Sequence, residues 1–333
     1  MRTTPLKTLA CASLFVACAS LVPGWLNVQD AAPEISTKLQ PALMTTNANK
    51  GLLLGIARAG DKLVAVGGNG VIVTSSDGTR WTQVPSPVDV ALTNVAFANA
   101  STGWAVGHDA LVLATTDGGQ TWKTQNFQPA LNSPLFSIQA LSDTTAVAVG
   151  AFGLLKITQD GGTTWTDVVA PEVNGESLHL NAVTRLANGK LVVVGERGLL
   201  GISDDGQQWR RLASPYEGSF FGVLPWGSEG ALAFGMRGNA YVTTNADSGE
   251  WHKLELGTTA SFFGGHALAD NQVILTGAEA KAVLIDSQEK VEHLDTSALN
   301  SGQPSTLASA AVLDNRIVAV GETGAKLLQA KRP

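Results

Sequence analysis

The sequence predicts an all-β fold of seven four-stranded sheets, and three observations predict it. A unit of four short apolar runs recurs seven times; each unit has a glycine at the end of its second run; and a turn opened by aspartate and closed by tryptophan recurs in the same place. The glycines are Gly67, Gly107, Gly150, Gly195, Gly235, Gly277 and Gly321, spaced by 40, 43, 45, 40, 42 and 44 residues. A period in the low forties without apolar residues at i, i+3 and i+4 belongs to blades arranged in a ring, not to stacked helices. A lone four-stranded sheet buries neither face well, so each unit needs its neighbours. The fold expected is therefore a seven-bladed β-propeller of antiparallel blades.

The clearest unit, residues 135–168, justifies its elements in turn. Ala146–Val149 is a strand of small and β-branched residues, Leu154–Thr158 is a second, and Gly150-Ala151-Phe152-Gly153 joins them as a tight hairpin with a two-residue turn. Thr158-Gln159-Asp160-Gly161-Gly162-Thr163-Thr164-Trp165 then reverses the chain. Its aspartate can accept from main-chain N–H groups of the turn, and glycine takes the positive-φ position. The tryptophan opens the last strand.

Residues 1–32 differ in kind. Arg2 and Lys7 precede the apolar run from Thr8 to Val22, which is short for a membrane span and ends at Pro23-Gly24. This reads as a secretory signal, with 33–333 as a single propeller domain exported to the periplasm or an equivalent compartment. Cys11 and Cys18 are the only cysteines and both lie in the signal, so the remainder has no thiol chemistry. Phe15-Val16-Ala17-Cys18 is a weak lipoprotein box, which leaves a lipid or an uncleaved N-terminal anchor as alternatives. No Arg-Arg pair points to twin-arginine export.

Without residues 1–32 the basic residues fall from 22 to 20 and the acidic from 28 to 27, a net charge of −7. An acidic surface argues against nucleic acid as a partner. The seventh unit ends without a fourth strand, so Ile35–Leu39 is the expected closing strand, because an open blade would expose unpaired edges.

The turn residues Asp77, Asp117, Asp160 and Asp205, with Trp81, Trp122, Trp165 and Trp209, are expected to be structural. One carboxylate per forty residues spreads acids around a rim, whereas calcium gathers six or more oxygens. A tryptophan at a fixed place in these blades is expected to pack between them. In unit five Asn245–Trp251 stretches the turn, and in unit six only Asp286 of it remains.

Thr115-x-Asp117-x-Gly119-x-Thr121-Trp122 and Thr158-x-Asp160-x-Gly162-x-Thr164-Trp165 match the Asp-box, or BNR repeat, and units one and four carry it one residue shorter. With Trp104-Ala105-Val106-Gly107 and the Gly-x-Arg-Gly turns, the chain resembles the photosystem II stability/assembly factor family of seven-bladed propellers, most sharply over residues 92–212. That resemblance implies a non-catalytic protein that holds membrane-protein intermediates during assembly. Asp-boxes also occur in sialidases, and resemblance to those would imply an early Arg-Ile-Pro, three carboxylate-clamping arginines and a tyrosine nucleophile. This chain has only Tyr216 and Tyr241 and no Arg-Ile-Pro. Glycoside hydrolysis needs two facing carboxylates, for which Glu196, Glu279 and Glu322 would have to serve. A glycosidase and a ligand-binding sensor remain the alternatives at this point.

No catalytic residue, cofactor or metal site is expected, since His108, His179, His252, His266 and His293 show no chelating spacing. What varies is the turn after the repeated glycine. There His108, Asp109, Glu196, Arg197, Arg237 and Glu322 are the expected partner-binding residues, Arg197 and Arg237 matching in adjacent units. The partner expected is a membrane or envelope protein complex, and the protein alone is expected to be monomeric.

Overall fold

The computed structural model describes residues 38–299 and 305–328. Within them the chain folds as six four-stranded sheets and a seventh of three strands, each in simple up-and-down order. The repeated glycine is the last residue of the second strand in every blade, as in Ala146–Gly150 and Leu191–Gly195. It is required by close approach: a β-carbon on Gly150 would lie 2.2 Å from the carbonyl oxygen of Pro134.

The first strand of each blade lines the ring's axis, and successive first strands touch one another all the way round, including Leu53–Ala59 of blade one against Leu307–Leu313 of blade seven. The second strands are almost wholly buried. The core is distributed between blades: Val147, Val149 and Leu155 of blade three pack with Val183, Leu191 and Val193 of blade four, and each junction repeats the arrangement. This is why no blade is stable alone and why the apolar pattern outlasts the turn motif.

Every blade has an irregularity at one place. The first residue of the first strand pairs with the repeated glycine, and one residue is then skipped before pairing resumes, as between Leu135 and Ser137 or Phe220 and Gly222. The bulged residues are Leu54, Thr93, Phe136, Asn181, Phe221, Phe263 and Ala308. A bulge breaks strict alternation and re-aims the side chain.

The hairpin after the glycine differs from expectation. Val149 pairs with Leu155 and the Gly150 N–H donates to Leu154 O, so three residues, Ala151–Gly153, form the loop instead of two. Two successive positive φ values, 54° at Phe152 and 77° at Gly153, turn the chain.

The closing strand expected at Ile35–Leu39 falls mostly outside the described residues. Its last two, Lys38 and Leu39, are in no strand, and Leu39 packs on the core between blades one and two. The chain then follows the outside of blade one, with Ala42 N donating to Ser86 O and Thr45 N to Gln83 Oε1. Among the described residues blades seven and one are joined by side-chain packing of Val318 and Val320 with Leu63 and Ala65, and by Arg316 Nη1 donating to Asp77 O at 2.9 Å. Residues 1–32, expected to be a secretory signal, also lie outside the described residues.

Candidate functional site

The ring offers two rims. On one, the Asp-boxes close the hairpins between third and fourth strands. Asp160 Oδ1 accepts from Thr164 N at 2.9 Å and its Oδ2 from the Thr164 hydroxyl at 2.7 Å, while Gly162 N donates to Thr158 Oγ1 at 2.7 Å. The Thr164 N–H, then its hydroxyl, hold the Asp160 carboxyl down at about 2. Burial works the other way at Asp117, yet the Thr121 hydroxyl and N–H bring it to about 2 as well. Asp77 and Asp205 are lowered first by the N–H groups of Arg80 and Gln208. All four carboxylates are committed to their own turns.

The tryptophans fill the junctions. Trp122 and Trp209 are buried, and their indole N–H groups donate to Gly119 O and Gly206 O, closing the Asp-box from inside. Trp81 and Trp165 are half-buried against the junctions of blades seven and one and of two and three. In blade five the stretched turn supplies no such carbonyl, and Trp251 Nε1 is buried without a partner.

The other rim carries the loops that follow the repeated glycine. Five of them follow one pattern in which the central residue is exposed and left-handed: Asn69, Phe152, Arg197, Arg237 and Glu279 have φ from 51° to 57°. The loops are tied to the next blade's entry by main-chain donors. Ala110 N reaches Ser133 O, Gly198 N reaches Gly218 O, Ala280 N reaches Ser305 O, and Arg237 N reaches Ser261 Oγ. The rim is thus fixed in backbone and variable in side chain, the arrangement that preorganises a binding surface.

Six residues were expected to bind a partner, and all lie on this rim without forming one cluster. Arg197 and Arg237 stand at equivalent exposed positions of adjacent blades, and neither guanidinium has an ion-pair or hydrogen-bond partner among the described residues. Glu196 and Glu322 are engaged inward: Glu196 Oε2 accepts from His179 N and Glu322 Oε2 from Thr306 N, each at 2.9 Å. The same carboxylate thus anchors the residue preceding the first strand of blades four and seven. His108 and Asp109 are in blade two, separated from Arg197 by the whole of blade three.

An aromatic arc lies closer to the axis, and sequence reasoning missed most of it. Phe152 meets His179 edge-on at 4.9 Å, His179 lies 5.8 Å from Phe136, and Phe221 stacks on Phe263 at 5.4 Å. Phe136, Phe221 and Phe263 are bulged residues at the mouth of the axial cavity, whose volume is about 220 Å³. Of the aromatic residues in the segment Phe220–Trp226, Phe220 and Trp226 are buried in the core. Only Phe221 is turned out, because the bulge follows Phe220. The signal was a recurrent phenylalanine one residue into the first strand, and it becomes legible only once the bulge is known.

Comparison with known proteins bears on both fold and family. A structure of YCF48 bound to D1 peptide superimposes with a TM-score of 0.67 at 20% identity, covering 89% of this chain and 100% of that one. YCF48 from Cyanidioschyzon merolae gives 0.65 at 18%, covering 85% and 96%. The WD40 propeller domain of Doa1 also reaches 0.67, at 10% identity and over 88% and 97%, so structural likeness carries the fold alone. By sequence, the chloroplastic photosystem II stability/assembly factor HCF136 of Cyanidioschyzon merolae is 33% identical over 201 residues, 52% of this chain and 45% of that protein. HCF136 of Guillardia theta is 39% identical over 56 residues, 16% and 14% of the two chains. The match thus spans less than half of these curated relatives. Residues 73–331 match the model of the family described as photosynthesis system II assembly factor YCF48, and the chain belongs to that family.

Proposed function

We propose that this protein is an exported, non-catalytic assembly factor that docks a segment of a membrane or envelope protein complex on the rim carrying Arg197 and Arg237. The observation that carries the reading is a pair of guanidinium groups on adjacent blades, without partners among the described residues and held on a backbone tied blade to blade. Arginine binds a carboxylate through two parallel hydrogen bonds, so an acidic segment or C-terminus of the partner is the ligand class. Family membership supports the assembly role, and one solved relative, YCF48 bound to D1 peptide, carries a peptide. The commitment of Asp77, Asp117, Asp160 and Asp205 to their turns, and of Glu196 and Glu322 to main-chain N–H groups, favours binding over acid–base chemistry.

Export follows from the basic start and apolar run of residues 1–32, and the protein acts as a monomer until it meets its partner. Fractionation of a Gram-negative host should recover it outside the cytoplasm; full-length unprocessed protein in the soluble cytoplasm would overturn this part. For the site, Arg197→Glu with Arg237→Glu should leave melting nearly unchanged, because isolated surface charges contribute little. It should abolish co-purification with an envelope partner and its salt dependence. Undiminished capture by the double variant would remove the arginines from the site.

A further inference from the structure

We infer that the mouth of the axial cavity is a receptor for one aromatic side chain of the acidic segment docked by Arg197 and Arg237. This rests on the docking role proposed above and names what the same rim recognises beyond charge.

The inference starts from what the cavity has left to offer. Asn94 Oδ1 and Ser137 Oγ line it, but each accepts from the next blade's first strand, at Ile138 N and Val183 N. Asn181 Nδ2 donates to Phe220 O at 2.7 Å, which leaves its Oδ1 as an acceptor for an incoming main-chain N–H. Beside those polar groups the lining presents three rings: Phe136 from blade three, and stacked Phe221 and Phe263 from blades five and six. Phe263 is 38% exposed, a large share for a phenylalanine with a stacking partner. The cavity, about 220 Å³ and open at the mouth, has room for one benzyl-sized side chain.

Placement ties this cavity to the arginines. The bulged residue follows the one paired with the repeated glycine, and the rim loop follows that glycine, so mouth and loops share one end of the blades. The aromatic mouth residues belong to blades three, five and six, and the arginines to four and five. Across the ring the mouth is Ala308, Leu54 and Thr93. On a protein of net charge −6 this arc joins ring surface to cations unpaired among the described residues. Glu279 at the blade-six loop turns the acidic part of an occupant toward blades four and five. Ring stacking in the mouth and charge pairing on its rim together select an aromatic residue followed closely by a carboxylate.

Saturation-transfer NMR on the purified chain tests it with three probes: acetyl-Phe-Asp amide, acetyl-Phe amide and acetyl-Ala-Asp amide. Ring protons of both phenylalanine probes should be saturated, and the alanine probe should give little signal. Phe136→Ser with Phe221→Ser should weaken binding of both aromatic probes about tenfold, the loss of one or two ring contacts. Phe136→Leu with Phe221→Leu, which keeps the apolar volume, should weaken it about threefold and guards against misfolding. Arg197→Glu with Arg237→Glu should reduce binding of the charged aromatic probe and spare the neutral one. Equal signals from alanine and phenylalanine probes, or aromatic binding unchanged in the phenylalanine variants, would overturn the receptor. If capture of the partner is still lost on charge reversal, the docking role survives that result. Ring binding that persists while charge reversal leaves capture intact would keep the receptor and discard the arginines.

Discussion

Asp160 and Arg197 each sit at the tip of a hairpin, at opposite ends of neighbouring blades, and what happens to their side chains differs completely. The aspartate is turned back on its own loop and accepts from the N–H and hydroxyl of Thr164. The arginine leaves a loop whose backbone is fixed without it and meets nothing among the described residues. Where the side chain makes the turn, the residue repeats: Asp77, Asp117, Asp160, Asp205. Where the backbone makes the turn, the residue varies, four types over five blades: Asn69, Phe152, Arg197, Arg237, Glu279. The proposed recognition surface is the rim whose side chains the fold does not need.

The largest effect is expected on the Asp-box rim. Trp209→Ala should cost about 3–5 kcal/mol, the range for emptying a buried aromatic site, and should leave binding by the folded fraction unchanged. Denaturant titration with a parallel binding assay checks both halves; a binding loss at unchanged stability would move the site to this rim. Trp165→Ala should cost less, because Trp165 is only half-buried.

Removing residues up to Thr45 should lower the melting temperature clearly, since it strips Leu39 from the core of blades one and two and the bonds to Ser86 and Gln83. Removing Lys331–Pro333, which lie outside the described residues, should do little by comparison. Equal melting of the two truncations would show that the outer segment does not brace the ring.

Acid gives a third handle. The carboxyls of Asp117 and Asp160 are held at about 2, below their ordinary 3.8, so their contribution is complete above pH 4 and is lost as pH falls toward 2. Asp160→Asn should remove that contribution at pH 7 and so flatten the loss of stability between pH 4 and 2, followed by circular dichroism. An unchanged acid profile would show that the turn does not depend on the ionised form.

The smallest effect compares an intact Asp-box with a decayed one. Trp209→Phe breaks the bond to Gly206 O and leaves that carbonyl short of a donor, whereas Trp251→Phe removes an N–H that has no partner. The first should cost about 1 kcal/mol more than the second. Equal losses would show that the indole N–H does not help hold the box.

Blade number, strand order and the role of the Asp-box were legible because each rests on local chemistry that repeats: glycine where a carbonyl approaches within 2.2 Å, aspartate where N–H groups need an acceptor. The arginine pair was legible because alignment of repeats is alignment in space. The inward use of Glu196 and Glu322 was not, since their acceptor role depends on His179 N and Thr306 N, brought close only by the first hairpin of the blade. Nor was the aromatic mouth. Strict alternation would assign Phe136, Phe221 and Phe263 to the face opposite their first-strand neighbours, and only the bulge, seen in the pairing register, re-aims them.

The left-handed loop residues have one more consequence. A residue other than Gly, Asn or Asp in that conformation costs roughly 1–2 kcal/mol, so the four at Phe152, Arg197, Arg237 and Glu279 together withhold on the order of 4–8 kcal/mol, with Asn69 adding less. That is comparable with the whole stability of an ordinary domain. A version with glycine at all five positions would be hardier and featureless, a blank template on which a designer could write other recognition sets without disturbing the ring beneath.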